Sequence, residues 1–371
     1  MAQCSIGENH RKCYSPPHGG LYRVICGLGR HPPFGGGGGR RFVRGVSLRI
    51  VRVSQARPGT GRVDSIGRRG PQFGEAHADS DQGSRLVTAG RQQRGIARPN
   101  ETVLVESSSG NLGLALSLVC AIKGYRFICV TDPNANRAAV RGIELYGARV
   151  IVVEDRDSAG GYLGSRLKKI DQILKSDPNA VWLDQYSNIA NKNVHARETA
   201  NEIALEFDRV DWIFVGTGTT GTLAGISVRL RQEFPGIKVV AVEPIGSVTF
   251  GGAPGKRHIP GIGTSVRPKL AELAKPDRIV AVNEEKTVEA CLSFVRNYHL
   301  LVGGSTGTVL AAVQRLAPEF RRGDTIVAIS PDLGEKYLDT VYHPIWVETT
   351  IGVENSPPEQ TCELVGTGKG E

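Results

Sequence analysis

The sequence predicts an α/β protein with two domains of mostly parallel sheet, each flanked by helices. Three observations carry this. From Thr102 onward, short apolar runs alternate with helical stretches. The runs are solidly apolar and do not alternate with polar residues, as in strands covered on both faces. Several runs end in loops of Gly, Ser and Thr that open the next helix, the place where such folds hold ligands.

The strand candidates are Val103-Leu104-Val105, Phe127-Ile128-Cys129-Val130, Val150-Ile151-Val152-Val153, Val181-Trp182-Leu183, Trp212-Ile213-Phe214-Val215, Val239-Val240-Ala241-Val242, Ile279-Val280-Ala281-Val282 and Ile326-Val327-Ala328-Ile329. Helical patterns lie between them near 112–123, 136–146, 162–175, 193–207, 222–233, 286–298 and 307–316. The domains implied are a smaller one over 94–185 and a larger one over 186–349. Residues 1–93 form an anomalous Arg/Gly-rich segment, in which Phe42 to Val53 could form one or two strands, and 350–371 read as a disordered tail.

The central motif is Gly216-Thr217-Gly218-Thr219-Thr220-Gly221-Thr222, between an apolar strand and the helical Leu223-Ala224-Gly225-Ile226 pattern. Its glycines let the backbone approach an anion, its N–H groups face that anion, and the helix N-terminus adds partial positive charge. A tight turn with nothing bound is the other reading. Gly216, Gly218 and Gly221 stand at GxGxxG spacing, which is a weak signal alone; the loop does not fit GxxxxGK[ST], so the P-loop reading loses its support.

Three further loops occupy equivalent positions. Glu106-Ser107-Ser108-Ser109-Gly110-Asn111-Leu112-Gly113 could hold a carboxylate or simply cap its helix. The same pair of readings applies to Leu301-Val302-Gly303-Gly304-Ser305-Thr306-Gly307. The segments Gly251–Gly255 and Pro260–Thr264 form a long polar loop region. Four anion-friendly loops in one α/β core point together to a ligand more strongly than any one alone.

Composition narrows the class. No apolar run approaches the eighteen or so residues of a membrane span, and the start lacks the pattern of a signal peptide. The seven cysteines form no CxxC pair, which fits reduced thiols in a cytoplasmic protein. His195, His258, His299 and His343 are scattered, so no metal site is expected. Ser107-Ser108-Ser109 is not a nucleophile elbow of the GxSxG kind, which argues against an α/β-hydrolase. The net charge of +9 belongs to the first hundred residues, whose sixteen Arg, one Lys and five acids give +12 and leave −3 for the remainder. Aromatic stacking residues are few there and no binding motif appears, so no nucleic-acid partner is expected.

Together these loops resemble the fold-type II pyridoxal-phosphate enzymes, the family of cysteine synthase and cystathionine beta-synthase. Glu106–Gly113 is similar to its asparagine loop, Gly216–Thr220 to its phosphate loop, and Gly304-Ser305-Thr306-Gly307 to its pyridine-nitrogen loop. Gly160-Gly161-Tyr162-Leu163-Gly164-Ser165-Arg166, Asp184-Gln185-Tyr186, Gly246–Gly251 and Pro331–Asp339 resemble most the siderophore-precursor branch. Those enzymes are the N-(2-amino-2-carboxyethyl)-L-glutamate synthases of 2,3-diaminopropionate biosynthesis. Leu112, where cysteine synthases carry Thr, favours that branch.

The resemblance implies the cofactor pyridoxal 5'-phosphate, small amino-acid substrates and a homodimer. It implies β-replacement, in which O-phospho-L-serine loses phosphate and the amine of L-glutamate adds. A cysteine synthase using sulfide is the alternative. Gly216, Thr217, Gly218, Thr219 and Thr220 would bind the cofactor phosphate, Asn111 its ring hydroxyl, and Ser305 would face the pyridine nitrogen. Ser108, Ser109 and Gln185 would hold the substrate carboxylate. Arg166 and Tyr186 would take the leaving phosphate or the second substrate, since a guanidinium suits both phosphate and carboxylate.

One departure matters. The family attaches its cofactor to a lysine about thirty residues before the asparagine loop, and that lysine also moves the Cα proton. Here no lysine occurs between Lys12 and Lys123. One reading is a catalytically dead homologue. Another is that part of residues 1–93 is translated out of frame, since Arg-rich, Lys-poor text is what a GC-rich gene gives in a wrong frame. Asp81-Gln82-Gly83-Ser84-Arg85 can be encoded GAT CAA GGA TCG CGC; one base later this reads Ile-Lys-Asp-Arg. An out-of-frame segment should pack poorly over 20–93.

Overall fold

A computed structural model of the chain describes Val24–Gly27, Ser47–Arg52 and residues 98–352. The expected α/β architecture is present as two sheets. The smaller has the order β5-β4-β3-β6, all parallel, from β3 (Val103–Ser107), β4 (Arg126–Thr131), β5 (Arg149–Val152) and β6 (Ala180–Trp182). The larger has the order β1-β2-β10-β7-β8-β9. It contains β1 (Val24–Gly27), β2 (Ser47–Arg52), β7 (Trp212–Gly216), β8 (Lys238–Pro244), β9 (Arg278–Val282) and β10 (Thr325–Ser330). Only the β1–β2 pair is antiparallel.

The central strands are apolar throughout because both faces are covered. Trp212, Phe214, Val240, Val242, Ile326 and Ala328 enter one core. Their neighbours Ile213, Val215, Val239, Ala241, Val327 and Ile329 enter another on the opposite face. This is the two-residue period of a strand, with a hydrophobic layer on each side. Helices α7 (Glu284–Tyr298) and α8 (Gly304–Leu316) cover the first face; α5 (Thr199–Glu206) and α6 (Gly221–Glu233) cover the second. In the smaller domain, α1 (Asn111–Lys123) and α2 (Arg137–Leu145) pack on one face and α3 (Leu163–Ser176) on the other. Edge strands depart from full burial: β5 is buried nowhere along its length, and Ile279 of β9 is 51% exposed.

Each expected strand and helix beyond Thr102 has its counterpart. The single helix read over 193–207 is two, α4 (Ile189–Arg197) and α5, which meet at Glu198. α4 lies against α6 so closely that Gly225 has no room for a side chain. A Cβ there would meet the Lys192 carbonyl at 2.5 Å and the Ala196 nitrogen at 2.7 Å.

Residues 1–93 were set apart from both domains, yet β1 and β2 extend the larger sheet. Alternation in Ser47-Leu48-Arg49-Ile50 explains this. Ile50 is 5% exposed and Leu48 packs beside it against the core, while β2 pairs with β10 from Ser47 to Arg52. β2 is thus paired along its length and packed at Leu48 and Ile50; apart from these two strands, residues 20–93 lie outside the described residues. The 81–85 window and the 93/94 boundary lie outside the described residues. Residues 350–351 complete a helical turn, Val347–Ile351; the rest of the expected tail lies outside the described residues.

Among the described residues no helix is long and apolar enough to cross a membrane, and no cluster of His, Cys, Asp or Glu could hold a metal ion.

Replacing Gly225 with Ala should destabilise the fold by about 1–3 kcal/mol through overpacking. Replacing Leu205, 89% exposed, with Ser should stay within about 0.5 kcal/mol. Chemical denaturation midpoints of the two variants check both.

Candidate active site

A cavity of about 330 Å³ opens where the C-terminal ends of β3 and β7 face each other. Its wall includes Ser108, Ser109, Asn111, Arg166, Gln185, Tyr186, Gly216, Gly218, Thr219 and Ser305. The structure thus gathers ten of the twelve sequence-predicted residues from five separate stretches of chain.

The β7–α6 loop forms one end. The backbone N–H groups of Gly218, Thr219 and Thr220 make no hydrogen bond to a described residue, and they precede the first turn of α6. Thr220 holds a left-handed conformation, φ 66°, which is uncommon for a β-branched residue and shapes the turn. The side chains of Thr217 and Thr220 do not face the cavity. The Thr217 hydroxyl donates to the Val242 carbonyl at 3.0 Å, and that of Thr220 to the Thr219 carbonyl at 2.6 Å. Both hydroxyls thus have backbone acceptors, and the Thr217 N–H also donates to the Val242 carbonyl at 2.9 Å, so of these two residues only Thr220 keeps a main-chain donor for the cavity. Thr222 lines the cavity instead and pairs with His195 Nε2 at 3.1 Å, while His195 Nδ1 meets Thr199 Oγ1 at 3.0 Å. Burial lowers the His195 pKa to about 4, so the ring is neutral. Its place in the middle of α4 gave no sequence signal.

The β3–α1 loop forms the second wall. Ser108 Oγ accepts from the backbone N–H of Gly113 at 2.9 Å and of Gly110 at 3.3 Å. The helix-capping alternative therefore describes its oxygen, while the residue still lines the cavity. Beneath it Glu106 is fully buried. It accepts from Ser107 N at 2.7 Å, Gln185 N at 3.1 Å and Trp182 Nε1 at 3.3 Å. Desolvation raises its pKa to about 8, against the pull of those donors. Gln185 Nε2 donates to the Ser107 carbonyl at 2.6 Å, and Tyr186 Oη lies 3.3 Å from Ser107 Oγ. Burial raises the Tyr186 pKa, opposed by Arg166.

Arg166 sits in the first turn of α3, buried, with Nε 3.4 Å from Asp132 Oδ2. That burial is not the setting of a solvated helix-face charge. A second guanidinium, Arg257, lines the same cavity. Its Nε is buried with no hydrogen-bond partner, and no described carboxylate lies within ion-pair distance. It occupies a slot between two glycines: a Cβ at Gly161 would come within 3.0 Å of Nη2, and one at Gly263 within 2.8 Å of Nη1. Its backbone is held by Asn134 Nδ2, which donates to the Arg257 carbonyl at 2.9 Å, and by Glu284, which accepts from His258 N and Ile259 N. Arg257 was missed because the basic run Lys256-Arg257-His258 in a Gly/Pro-rich loop looks like surface charge.

Ser305 opens α8, lines the cavity, and its hydroxyl bonds no described residue. At the junction with the asparagine loop, Asn111 Nδ2 donates to Asp332 Oδ2 at 3.1 Å. No described lysine lines the cavity.

An anion cradle of free N–H groups, a neutral hydroxyl at a helix start and an asparagine amide fit a phosphorylated pyridine ring. The noncovalent determinants for pyridoxal phosphate are thus present. Fold and site define an α/β protein of the tryptophan-synthase-beta-like class. The chain belongs to the pyridoxal-phosphate-dependent enzyme family, whose model matches residues 83–332. It is 38% identical over 296 residues to the N-(2-amino-2-carboxyethyl)-L-glutamate synthase of Ralstonia nicotianae, covering 80% of this chain and 87% of that one. Solved structures share the fold. The O-acetylserine dependent cystathionine beta-synthase of Helicobacter pylori superimposes with a TM-score of 0.70 at 22% identity, over 87% of this chain and 94% of its own. A hydrogen sulfide-producing enzyme of Fusobacterium nucleatum gives 0.70 at 24%, over 86% and 96%.

Glu106 yields a pH prediction. Its folded pKa lies above the ordinary 4.5, so between pH 4.5 and 8 the unfolded chain has lost a proton that the folded chain keeps. That contribution falls as pH rises through this window. His195 acts oppositely below its ordinary 6.5. The difference in stability between wild type and Glu106→Gln isolates the glutamate. Measured by denaturation from pH 4.5 to 8, it should shift steadily in favour of the variant, and a pH-independent difference would contradict the assignment.

Proposed function

We propose that this site is built for a β-replacement in which O-phospho-L-serine is the activated substrate and L-glutamate the incoming amine. The product would be N-(2-amino-2-carboxyethyl)-L-glutamate, a precursor of 2,3-diaminopropionate and of siderophores. The observation that carries this reading is the pair of guanidiniums, Arg166 and Arg257, on the wall of a cavity that also contains the serine loop. One buried and one half-buried cation suit a substrate pair bearing phosphate and an extra carboxylate; acetylserine and sulfide need neither. The Ralstonia relative's printed name supports the same reaction.

In this reading the bound cofactor supplies an electron sink for the Cα carbanion. The residues of the chain orient the reactants. Ser108, Ser109 and Gln185 hold the substrate carboxylate, the serines through their remaining hydroxyl and backbone donors. Arg166, fixed by Asp132, and Arg257, held in its glycine slot, neutralise the departing phosphate or the side-chain carboxylate of glutamate. Tyr186 presents its un-ionised hydroxyl beside Ser107. Ser305 faces the ring nitrogen without a charge, which leaves it unprotonated and suits elimination over transamination. Within the Gly216 to Thr220 loop, the backbone N–H groups of Gly218, Thr219 and Thr220 hold the cofactor phosphate, with Thr219 and Thr222 adding hydroxyls. A homodimer in the cytoplasm completes the reading; among the described residues Cys120, Cys129 and Cys291 are free thiols, which supports a reducing compartment.

A second reading, a homologue that binds the cofactor without turnover, is favoured by the absence of lysine from residues 13–122. Assays separate the two. Phosphate release from O-phospho-L-serine with L-glutamate should exceed cysteine formation from O-acetylserine and sulfide. Arg166→Met should raise KM for phosphoserine about tenfold or more. If cofactor binds but neither reaction runs, the inactive reading holds for the chain as written. DNA sequence across codons 20–95 then decides whether a one-base change restores Ile-Lys-Asp-Arg, and the restored chain is assayed in the same way.

A further inference from the structure

The stretch Pro331–Asp339 has no role in the reaction above, yet it reaches the site. Lys336, half-buried on the short turn Gly334–Tyr337, donates from Nζ to Asn111 Oδ1 at 3.0 Å. Asn111 Nδ2 donates to Asp332 Oδ2 at 3.1 Å, and that carboxylate oxygen also accepts from the Tyr337 hydroxyl at 2.8 Å. The Lys336 carbonyl accepts from Asn136 Nδ2 at 2.5 Å. Asn111 and Asn136 belong to the smaller domain; Lys336 and Asp332 belong to the larger.

A primary amide can sit two ways round, and its charged neighbours decide which. Here the ammonium faces the oxygen and the carboxylate faces the NH₂ group. The flipped amide would set its donors against the ammonium and its acceptor against the carboxylate, losing both bonds. The amide has two N–H bonds and Asp332 uses one, so the second is left for the cavity. The ammonium also draws electron density from the carbonyl and strengthens that N–H as a donor.

We infer that Lys336 is a positioning residue for the cofactor: acting with Asp332, it fixes the Asn111 amide so that an N–H faces the ring hydroxyl. This rests on the assignment of Asn111 to that hydroxyl. The same contact joins the two domains, so cofactor binding and the seating of Lys336 on the asparagine loop are linked. Lysine at this position acts through Asn111 and touches neither substrate nor reacting carbon.

The test is a double-mutant cycle on the purified full chain, with pyridoxal phosphate titrated by fluorescence and no turnover required. Asn111→Ala should weaken binding about tenfold or more, and Lys336→Met about tenfold, the scale of a hydrogen bond to a charged group. Lys336→Arg should recover to within about threefold. In the Asn111→Ala background, Lys336→Met should cost almost nothing further. The bound cofactor's absorption should titrate at higher pH in Lys336→Met, because a weaker donor stabilises the ionised hydroxyl less. If Asn111→Ala binds normally, the assignment of Asn111 itself fails. If Asn111→Ala is weakened but Lys336→Met is not, or if the two effects simply add, the inference about Lys336 is overturned while that assignment stands. Borohydride reduction that leaves the cofactor attached to Lys336 would also overturn it, by making the amine a direct partner.

Discussion

Asn191 is the joint on which both ends of the site depend. Its side-chain amide donates to the Gln185 carbonyl at 2.8 Å and to Thr219 Oγ1 at 3.0 Å. One buried residue on α4 thereby fixes the loop after β6 and the loop after β7. The contact is possible only because residue 221 is glycine: a Cβ there would overlap the Asn191 amide. A glycine at the helix start is thus demanded by packing from behind as well as by the approach of an anion in front. Both demands arise where α4 is pressed into the strand–helix junction.

The charges of the cavity follow a similar logic. Arg166 and Arg257 are drawn out of water, which is costly unless their charge is met. Arg166 is partly met by Asp132, and Asp132 is itself buried beside the asparagine loop. Arg257 has the carboxylates of Glu284 and Asp157 near enough to counter the desolvation that lowers its pKa, but none in contact. Asp157 is occupied elsewhere, accepting from Gly161 N, Gly164 N and Ser265 Oγ. That arrangement fixes the start of α3 and ties it to the larger domain. The two cations therefore stay available to an anion while their supports are taken up by structure. Glu106 is the inverse case, an acid fully buried without a cation and held by three N–H donors under the serine loop.

Much of this was legible before any fold. Strands such as Phe214–Val215 and Val239–Val242 announce themselves because a strand covered on both faces has no polar position to confuse the pattern. The three family loops were legible because small residues at strand ends have few other uses in such number. What escaped was decided by direction. Thr217 and Thr220 belong to the right loop, yet their hydroxyls turn to Val242 and Thr219, since the nearest acceptor is main chain. Arg257 and His195 sit in stretches whose one-dimensional context is a surface loop and an ordinary helix. The strand at Ser47–Arg52 lies within the 42–53 stretch read as one or two strands, where Leu48 and Ile50 alternate with polar neighbours, but the sequence did not place it beside β10 in the larger sheet.

By itself the sequence determined the class of fold, the order of its elements, the loops that face the site and the absence of lysine from residues 13–122. Each of these is a property of near neighbours along the chain: burial period, backbone freedom, residue type. Only the tertiary structure decided which of the loop side chains face the cavity, that a second arginine joins the first, and that Lys336 lies against Asn111, 225 residues away. Those facts depend on how two sheets are set against each other, and no local preference encodes the meeting of groups so far apart in the chain.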